Sequence, residues 1–494
     1  MKVSYGLICL VFVLVVGAIL SRRAQRGYID FLTPLLALYF LHAVTRSAFI
    51  FYSPEWLSLN MRVARASERE IAEALFVMAA GVAVLIVSYL VVTRLRPSKE
   101  FASRQVAPLS LGVAASLLSV GISFRFLLRM ARYNVISIPQ WAWTPIDTFG
   151  WAALAGIFLL AFRWARGATP LDRKRARLLA IFGVLAVVTV DAQLAVSREL
   201  VLQPILALLM GRMVGAGITL RRIALVTVVV GLPIFLWIGA MKRYQDRYRD
   251  YELWLGPWYL ESINAVQEQI HLGWDKFIIG SVQDRFHSVD SLVVIRQLVP
   301  SSRPYEQGSV WLRILESAFV PRAVYPEKNI GWGSRFAVEF WGLSPRAEGR
   351  AAIGISHLGN FYIYGGIGSA LAGMAILGAG LGLLAAYLRQ RGDVLGFLMF
   401  VLLALTVCQV DRDLEVSVGG MLKLLAIFAG VIFLRRSMQY SSTALARRRG
   451  RFHLTHAPVD SKPLATRAGE AQLDPSRGRA TAVMRPLPRF SRRT

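Results

Sequence analysis

Apolar runs of about twenty residues recur along the chain and alternate with polar loops. They lie near residues 5–20, 29–45, 72–93, 107–128, 147–163, 178–196, 200–217, 223–241, 360–388, 394–410 and 418–434. A helix needs about 20 apolar residues to cross a bilayer core, so each run is long enough for one crossing. No small-x-small cleavage site follows the first run, which we therefore expect to be an uncleaved span. The pattern predicts an all-α polytopic membrane protein with about eleven transmembrane helices.

Basic loops follow alternate spans, namely "SRRAQR", "RLRPSKEFASR", "RWARGATPLDRKRAR", "LRR", "RQRGD" and "RRSMQY". The positive-inside rule predicts that these loops are cytoplasmic. The remaining loops then face outward, among them the only long polar insert, which begins at Lys242. This orientation puts the N-terminus outside and the C-terminus inside.

The same pattern divides the chain into four parts. Residues 1–241 form a bundle of about eight spans, 242–359 a large outward-facing helical loop, and 360–434 about three further spans. Residues 435–494 are rich in Arg and Pro and poor in large apolar side chains. We expect this basic tail to be disordered and cytoplasmic.

Composition narrows the class of protein. With 55% hydrophobic residues and a mean hydropathy of +0.48, the chain is too apolar for an ordinary soluble enzyme. Its net charge of +27 suits an anionic membrane surface, and no folded module points to nucleic acid. Cys9 and Cys408 lie in apolar runs, so the sequence predicts no disulfide framework and no metal cluster. No GxSxG, HExxH, Walker or dinucleotide-binding fingerprint points to ATP, zinc or another cofactor.

The long insert shows helical spacing of apolar residues. Ser288 and Ser309 occupy expected N-cap positions, and Pro300 and Pro321 follow the expected helix ends. These signals predict helices of about ten residues, which we expect to lie on the membrane surface.

Arginines of the insert are candidate anion ligands because a guanidinium binds phosphate through two N–H groups and stays charged. Most loop arginines are solvated or paired with a carboxylate. Arg322 and Arg335 differ because each lies among Pro, Gly and aromatic residues, which indicates a fixed backbone. Arg285 and Lys328 are further candidates within the same insert.

Two residues beside the spans complete the candidate site. Arg198 lies in a short turn between two spans, so its side chain either snorkels to headgroups or lines a polar cavity near the insert. His357 lies between the arginine-rich loop and a glycine-rich span. A lone histidine is usually structural, but this position suits a general base or a diphosphate ligand.

The segments "FVPRAVYPEKNIGWGSRFAVEFWG" and "GISHLGNFYIYGGIGSALAGMAILGAGLG" resemble the end of the large periplasmic loop and the following span of Wzy-type O-antigen and exopolysaccharide polymerases. The turn and span "SRELVLQPILALL" resemble the arginine-bearing turn of the same group. Arg322 and Gly333 fit the Arg-x10-Gly spacing associated with this family, as do Arg467 and Gly478 in the tail.

The resemblance implies a GT-C-like, inverting glycosyltransferase of the bacterial inner membrane that uses an undecaprenyl-diphosphate-linked oligosaccharide. Arg322 and Arg335 would then be catalytic, with Arg198, Arg285 and Lys328 near the substrate diphosphate. His357, or a carboxylate such as Glu339 or Asp284, would assist the acceptor hydroxyl. No cofactor is implied, and the partners would be membrane lipids, a chain-length regulator and a flippase.

Alternative functions stay open at this point. An O-antigen ligase would share the spans and arginines but would transfer the glycan to lipid A core. A polysaccharide flippase or another transporter would line its centre with polar residues, whereas Asp191 and Lys423 are the main charges within the predicted spans. A non-catalytic scaffold for envelope assembly is the remaining alternative.

Overall fold

A computed structural model describes most of the predicted spans and part of the insert. The described residues are 11–12, 14–19, 31–52, 66–95, 108–132, 135–193, 198–216, 263–264, 266–274, 288–307, 338–342, 354–391, 394–407, 417–422, 424–425 and 428–429, with single positions at 229, 233, 236, 320, 336 and 414. The longer elements within them are α1 (Leu32–Tyr52), α2 (Glu68–Leu95), α3 (Leu111–Arg132), α4 (Gln140–Gly150), α5 (Ala152–Arg166), α6 (Pro170–Gln193), α7 (Arg198–Ala216), α8 (Ser288–Leu298), α9 (Ser356–Arg391) and α10 (Val394–Val407). The expected all-α fold is confirmed for these ranges, which belong to a compact unit of residues 1–431. The basic tail lies outside the described residues.

Four helices are long and apolar enough to cross a membrane: Glu68–Leu95, Leu111–Ala131, Pro145–Arg166 and Ser356–Leu388. Gln203–Ala216 and Val394–Val407 are shorter apolar helices. Large apolar side chains on the outside of the bundle stay exposed, including Phe76 at 61%, Phe182 at 64% and Ile376 at 62%. An apolar exterior of this kind is typical of a helical membrane protein.

A reciprocal capping box fixes the start of α2. The Ser67 backbone N–H donates to the Glu70 carboxylate at 2.7 Å, and the Glu70 N–H donates to the Ser67 hydroxyl at 3.3 Å. Two N–H groups that the first helical turn would leave unpaired are thereby satisfied. The uninterrupted apolar part of α2 begins after Glu73.

Close contacts at small residues set the relative directions of α3, α5, α6 and α7. Gly156 of α5 packs against the Leu118 backbone of α3, and Gly183 of α6 packs against Ile157. Further along, Gly211 of α7 packs against Phe158. Together with the neighbouring contacts, these pairings make α5 antiparallel to α3 and α6 and parallel to α7. Small residues let helix backbones approach closely, as is typical of membrane bundles.

The helix α9 is interrupted near its start. Gly365 and Gly366 have non-helical backbone angles, and Gly366 has φ 72° and ψ −153°. Phe361 packs against Gly373. In a straight helix, residues twelve positions apart would be about 18 Å apart along the axis, so residues 356–364 must fold back against 367–391. The predicted span at 360–388 is therefore a short helix followed by a long one.

The long part of α9 runs parallel to α2. Gly378 packs against Leu85, and Gly382 packs against Tyr89 and Val92 further along α2. The helix α10 contacts α5, α7 and α9, and its Phe400 stacks on Phe31, just before α1, with ring centroids 4.2 Å apart. Through these contacts α10 joins the group α1, α2 and α9 to the group α3 to α7.

The insert's helix α8 lies inside the bundle. It begins at Ser288 and ends at Leu298, just before Pro300, which confirms its predicted bounds. It packs against α1, α2 and α9, and residues 288–295 are buried. The sequence suggested a helix on the membrane surface, where one face would remain exposed, but α8 is enclosed by other helices. The predicted partner helix from Ser309 to Pro321 lies outside the described residues.

Candidate functional site

The first turn of α8 places polar side chains inside the bundle. Ser288 is fully buried, and its hydroxyl lies 2.9 Å from Nδ1 of His42 in α1. The Ser291 hydroxyl donates to the Gly354 carbonyl at 3.0 Å, just before α9. Because burying a hydroxyl without a partner is costly, these hydrogen bonds explain how a helix with a polar start can lie among apolar helices.

The short helix 356–364 begins at Ser356, which is fully buried and whose hydroxyl caps the helix. The Ser356 hydroxyl accepts the Gly359 N–H at 3.1 Å, and the Asn360 side-chain amide donates to the Ser356 carbonyl at 2.8 Å. His357 follows directly and is 1% exposed. Asn360 is fully buried, and its Oδ1 has no hydrogen-bond partner among the described residues. His357 is therefore held in a fixed, water-excluded position.

The two short helices run side by side in the same direction. Ser291 of α8 pairs with Gly354, and one turn later Ile295 packs against Gly359. Both helices therefore begin at the same end, next to His42 and His357. A helix N-terminus carries a partial positive charge, so two such ends lie beside these imidazoles.

The opposite end of α8 is fastened to the first turns of α2. Arg296 forms an ion pair with Glu73 at 2.5 Å, and the Gln297 side chain donates to the Glu70 carboxylate at 3.0 Å. The Glu70 carboxylate thus accepts hydrogen bonds from both Ser67 and Gln297.

The segment after α8 covers the interruption of α9. The Glu306 N–H donates to the Ile363 carbonyl at 3.1 Å. Tyr305 lies so close to Gly366 that a Cβ at Gly366 would be 2.8 Å from the tyrosine hydroxyl. Arg303 forms an ion pair with Glu339 and lies 4.8 Å from the centre of the Phe340 ring. These contacts hold residues 303–306 against both α9 and the 338–342 segment.

The structure places two of the seven predicted site residues with their side chains. His357 lies in the buried short helix, and Glu339 is paired with Arg303. The backbone of Arg198 begins α7, but its side chain lies outside the described residues, as do Arg285, Arg322, Arg335 and Lys328 entirely. The catalytic and diphosphate-binding assignments therefore stay predictions. Glu339 additionally holds the Arg303 side chain in place through its ion pair.

Several polar residues of this site were not predicted from the sequence, notably His42, Ser291, Arg303 and Asn360. His42 lies in an apolar run, where a polar side chain needs an internal partner, and this signal could have singled it out. Asn360 lies three residues after His357, on the same helical face. Ser291 and Arg303 carry no comparable signal, because both resemble ordinary surface residues.

The chemistry available at the site is proton transfer and hydroxyl binding. An imidazole can accept a proton from an alcohol, and neighbouring serine and asparagine groups can bind sugar hydroxyls. No group of three His, Cys, Asp or Glu side chains arranged as metal ligands occurs within the described ranges. Because His357 is only 1% exposed, a substrate would reach it only after residues around it move.

Comparison of the chain with models of protein families, with curated proteins and with solved structures finds no match.

Proposed function

We propose that the protein is an inverting membrane glycosyltransferase that polymerises undecaprenyl-diphosphate-linked oligosaccharide repeat units into O-antigen or exopolysaccharide. It would work at the outer face of the bacterial inner membrane. The proposal includes the finer architecture expected from the sequence: about eleven spans, a GT-C-like bundle, an outward-facing loop and a cytoplasmic tail. Its protein partners would be a flippase and a chain-length regulator.

The observation that supports this proposal most is the buried pairing of α8 with the short helix of His357. The arginine-rich segment of the insert, residues 322–350, lies between these helices in sequence. Within that segment Glu339 pairs with Arg303, and just after it Gly354, three residues before His357, accepts a hydrogen bond from Ser291. An arrangement of this kind suits an enzyme that brings loop arginines to a proton acceptor.

In the proposed reaction, an acceptor hydroxyl attacks the anomeric carbon of the donor sugar. The bond from this carbon to the diphosphate oxygen breaks, and its electron pair leaves with undecaprenyl diphosphate. His357 takes the proton of the attacking hydroxyl. Arg322 and Arg335 stabilise the negative charge that develops on the diphosphate, with Arg198, Arg285 and Lys328 as further ligands. The leaving group is already activated, so the reaction needs no ATP.

The decisive experiment replaces His357 with Gln, and separately Arg322 and Arg335 with Ala, in cells that make the polymer. Each variant should accumulate single outward-facing repeat units and lose long chains, because a missing general base or charge stabiliser typically costs about a hundredfold or more in rate. His271→Gln is the matched control, since His271 is exposed on another segment of the insert. Normal chain lengths in all three variants, at normal protein levels, would refute the polymerase mechanism. Free polymer that is not joined to lipid A core would instead identify a ligase.

A transporter is the second candidate, because α9 is a discontinuous helix. Transporters often bind substrate where a helix is broken inside the bundle. Here the short helix that precedes the break at Gly365 and Gly366 contains the buried polar residues His357 and Asn360. If His357→Gln cells retain lipid-linked repeat units on the cytoplasmic side, the transporter is favoured over the polymerase.

A further inference from the structure

A tryptophan at one end of the bundle is flanked by two arginines. The guanidinium carbon of Arg212 in α7 lies 4.0 Å from the centre of the Trp164 ring, and that of Arg177 in α6 lies 5.4 Å from it. The electron-rich ring attracts both guanidinium groups and so offsets part of their mutual repulsion. A guanidinium that stacks by its face keeps its in-plane N–H groups free to bind other partners.

Neighbouring basic side chains are already engaged within the protein. Arg163 pairs with Asp172 at 2.8 Å and donates to the Leu109 carbonyl. Arg166 donates to the Gly215 carbonyl at 2.6 Å. By contrast, neither Arg177 nor Arg212 forms an ion pair within the described part of the chain. Their charge is therefore available to an external anion.

The surrounding charge is strongly one-sided. Residues 163–177 contain the basic residues Arg163, Arg166, Arg173, Lys174, Arg175 and Arg177, and Asp172 is the single acidic residue among them. The segment 206–216 adds Arg212 and no carboxylate. An anion near Trp164 is therefore attracted by an excess of positive charge.

An exposed apolar face begins one residue after Arg177. Leu178 is 59% exposed, Phe182 64% and Leu185 61%, and the four- and three-residue spacing puts them on one side of α6. The face lies about a quarter turn around α6 from Arg177 and extends about 12 Å along the helix. A ligand with an anionic head and an apolar tail could contact both the two arginines and the apolar face. A free phosphate would contact only the arginines.

We propose that Arg177, Arg212 and Trp164 form a binding site for the phosphate headgroup of an anionic phospholipid. The acyl chains of this lipid lie along Leu178, Phe182 and Leu185. The site is at the end of the bundle that the basic loops predict to be cytoplasmic, and it is independent of the proposed glycosyltransferase reaction.

The test is native mass spectrometry of the full-length protein in detergent with equal amounts of phosphatidylglycerol and phosphatidylcholine. The wild-type protein should retain phosphatidylglycerol preferentially. Each basic residue near an anionic surface raises the affinity about fivefold. R177Q/R212Q removes two such residues, so it should bind phosphatidylglycerol about thirtyfold more weakly. R177K/R212K keeps the charge and should lose less than about fivefold.

The matched control is R173Q/R175Q, which removes two exposed charges from the same helix but leaves Arg177 and Arg212 beside Trp164. Because Arg173 and Arg175 belong to the surrounding positive charge, the control should weaken phosphatidylglycerol binding by less than about tenfold, well short of the loss expected for R177Q/R212Q. Equal losses in the control and in R177Q/R212Q would overturn the proposal, as would a wild-type protein without lipid preference. Displacement of phosphatidylglycerol by excess inorganic phosphate would show a free-phosphate site and also overturn it. Should R177Q/R212Q fail to fold, the exposed single change R177Q is expected to show about a fivefold loss.

Discussion

His42 and Ser288 are 246 positions apart in sequence, yet Nδ1 of His42 and the Ser288 hydroxyl lie 2.9 Å apart inside the bundle. Their exposed fractions are only 3% and 0%. His42 belongs to α1, near the start of the chain, and Ser288 begins the insert's helix α8. This contact therefore makes α8 part of the membrane bundle.

Replacing Ser288 with Ala should destabilise the protein by about 1–3 kcal/mol, because a buried imidazole nitrogen loses this hydrogen-bond partner. Thermal unfolding of the purified protein in detergent measures the change. Ser301→Ala is the matched control: Ser301 is exposed, and its hydroxyl donates only to the nearby Gln297 carbonyl. The control should change stability by less than about 0.5 kcal/mol. Equal effects of the two changes would contradict a special role for the contact with His42.

The bounds of α8 could be predicted from local signals, but its position could not. Serine favours the start of a helix, and proline cannot continue one, so Ser288 and Pro300 mark the two ends in the sequence itself. Burial depends on distant partners: Ser291 resembles a surface residue until Gly354 is placed beside it. Polar residues that form hydrogen bonds with residues far away in the sequence cannot be recognised from helical periodicity alone.

The interruption of α9 was missed for a related reason. The run is uniformly apolar, so it satisfies the requirement for a span whether or not the backbone breaks. Glycine permits both a helix and a sharp turn, and the sequence predicted only that these glycines allow close packing. Close packing is observed at Gly373 and Gly378. The turn at Gly366 is favoured by tertiary contacts, including the one with Tyr305.

Gly366→Ala should destabilise the fold by about 1–3 kcal/mol. Its φ of 72° and ψ of −153° lie in a region that is essentially restricted to glycine, and the new Cβ would meet the Tyr305 hydroxyl. Thermal unfolding and the amount of protein in the membrane report the effect. Gly368→Ala is the control, because nothing lies within 4 Å of a Cβ at that position. If Gly366→Ala is as stable as Gly368→Ala, the chain does not turn at Gly366.

Glu73 has two arginine partners that should contribute very differently to stability. The side chain of Arg296 is 18% exposed, whereas that of Arg69 is 78% exposed. Arg296→Gln should cost about 1–3 kcal/mol, since it removes a charged hydrogen bond that fastens α8 to α2. Arg69→Gln should cost about 0–1 kcal/mol, as for other exposed pairs. Unfolding measurements on the two variants provide the comparison, and a larger effect of Arg69→Gln would contradict the observed docking of α8.

Gln203 in α7 offers a change that should stabilise the protein. It is 2% exposed, and neither its Oε1 nor its Nε2 has a hydrogen-bond partner within the described residues. Leucine has a similar volume and no polar atoms, so Gln203→Leu should raise the free energy of unfolding by about 1–3 kcal/mol. Thermal unfolding tests this. The matched variant Gln203→Glu should lower the free energy of unfolding instead, because it buries a carboxyl group in place of the amide. A loss of stability in Gln203→Leu would mean that the amide binds a group that leucine cannot replace.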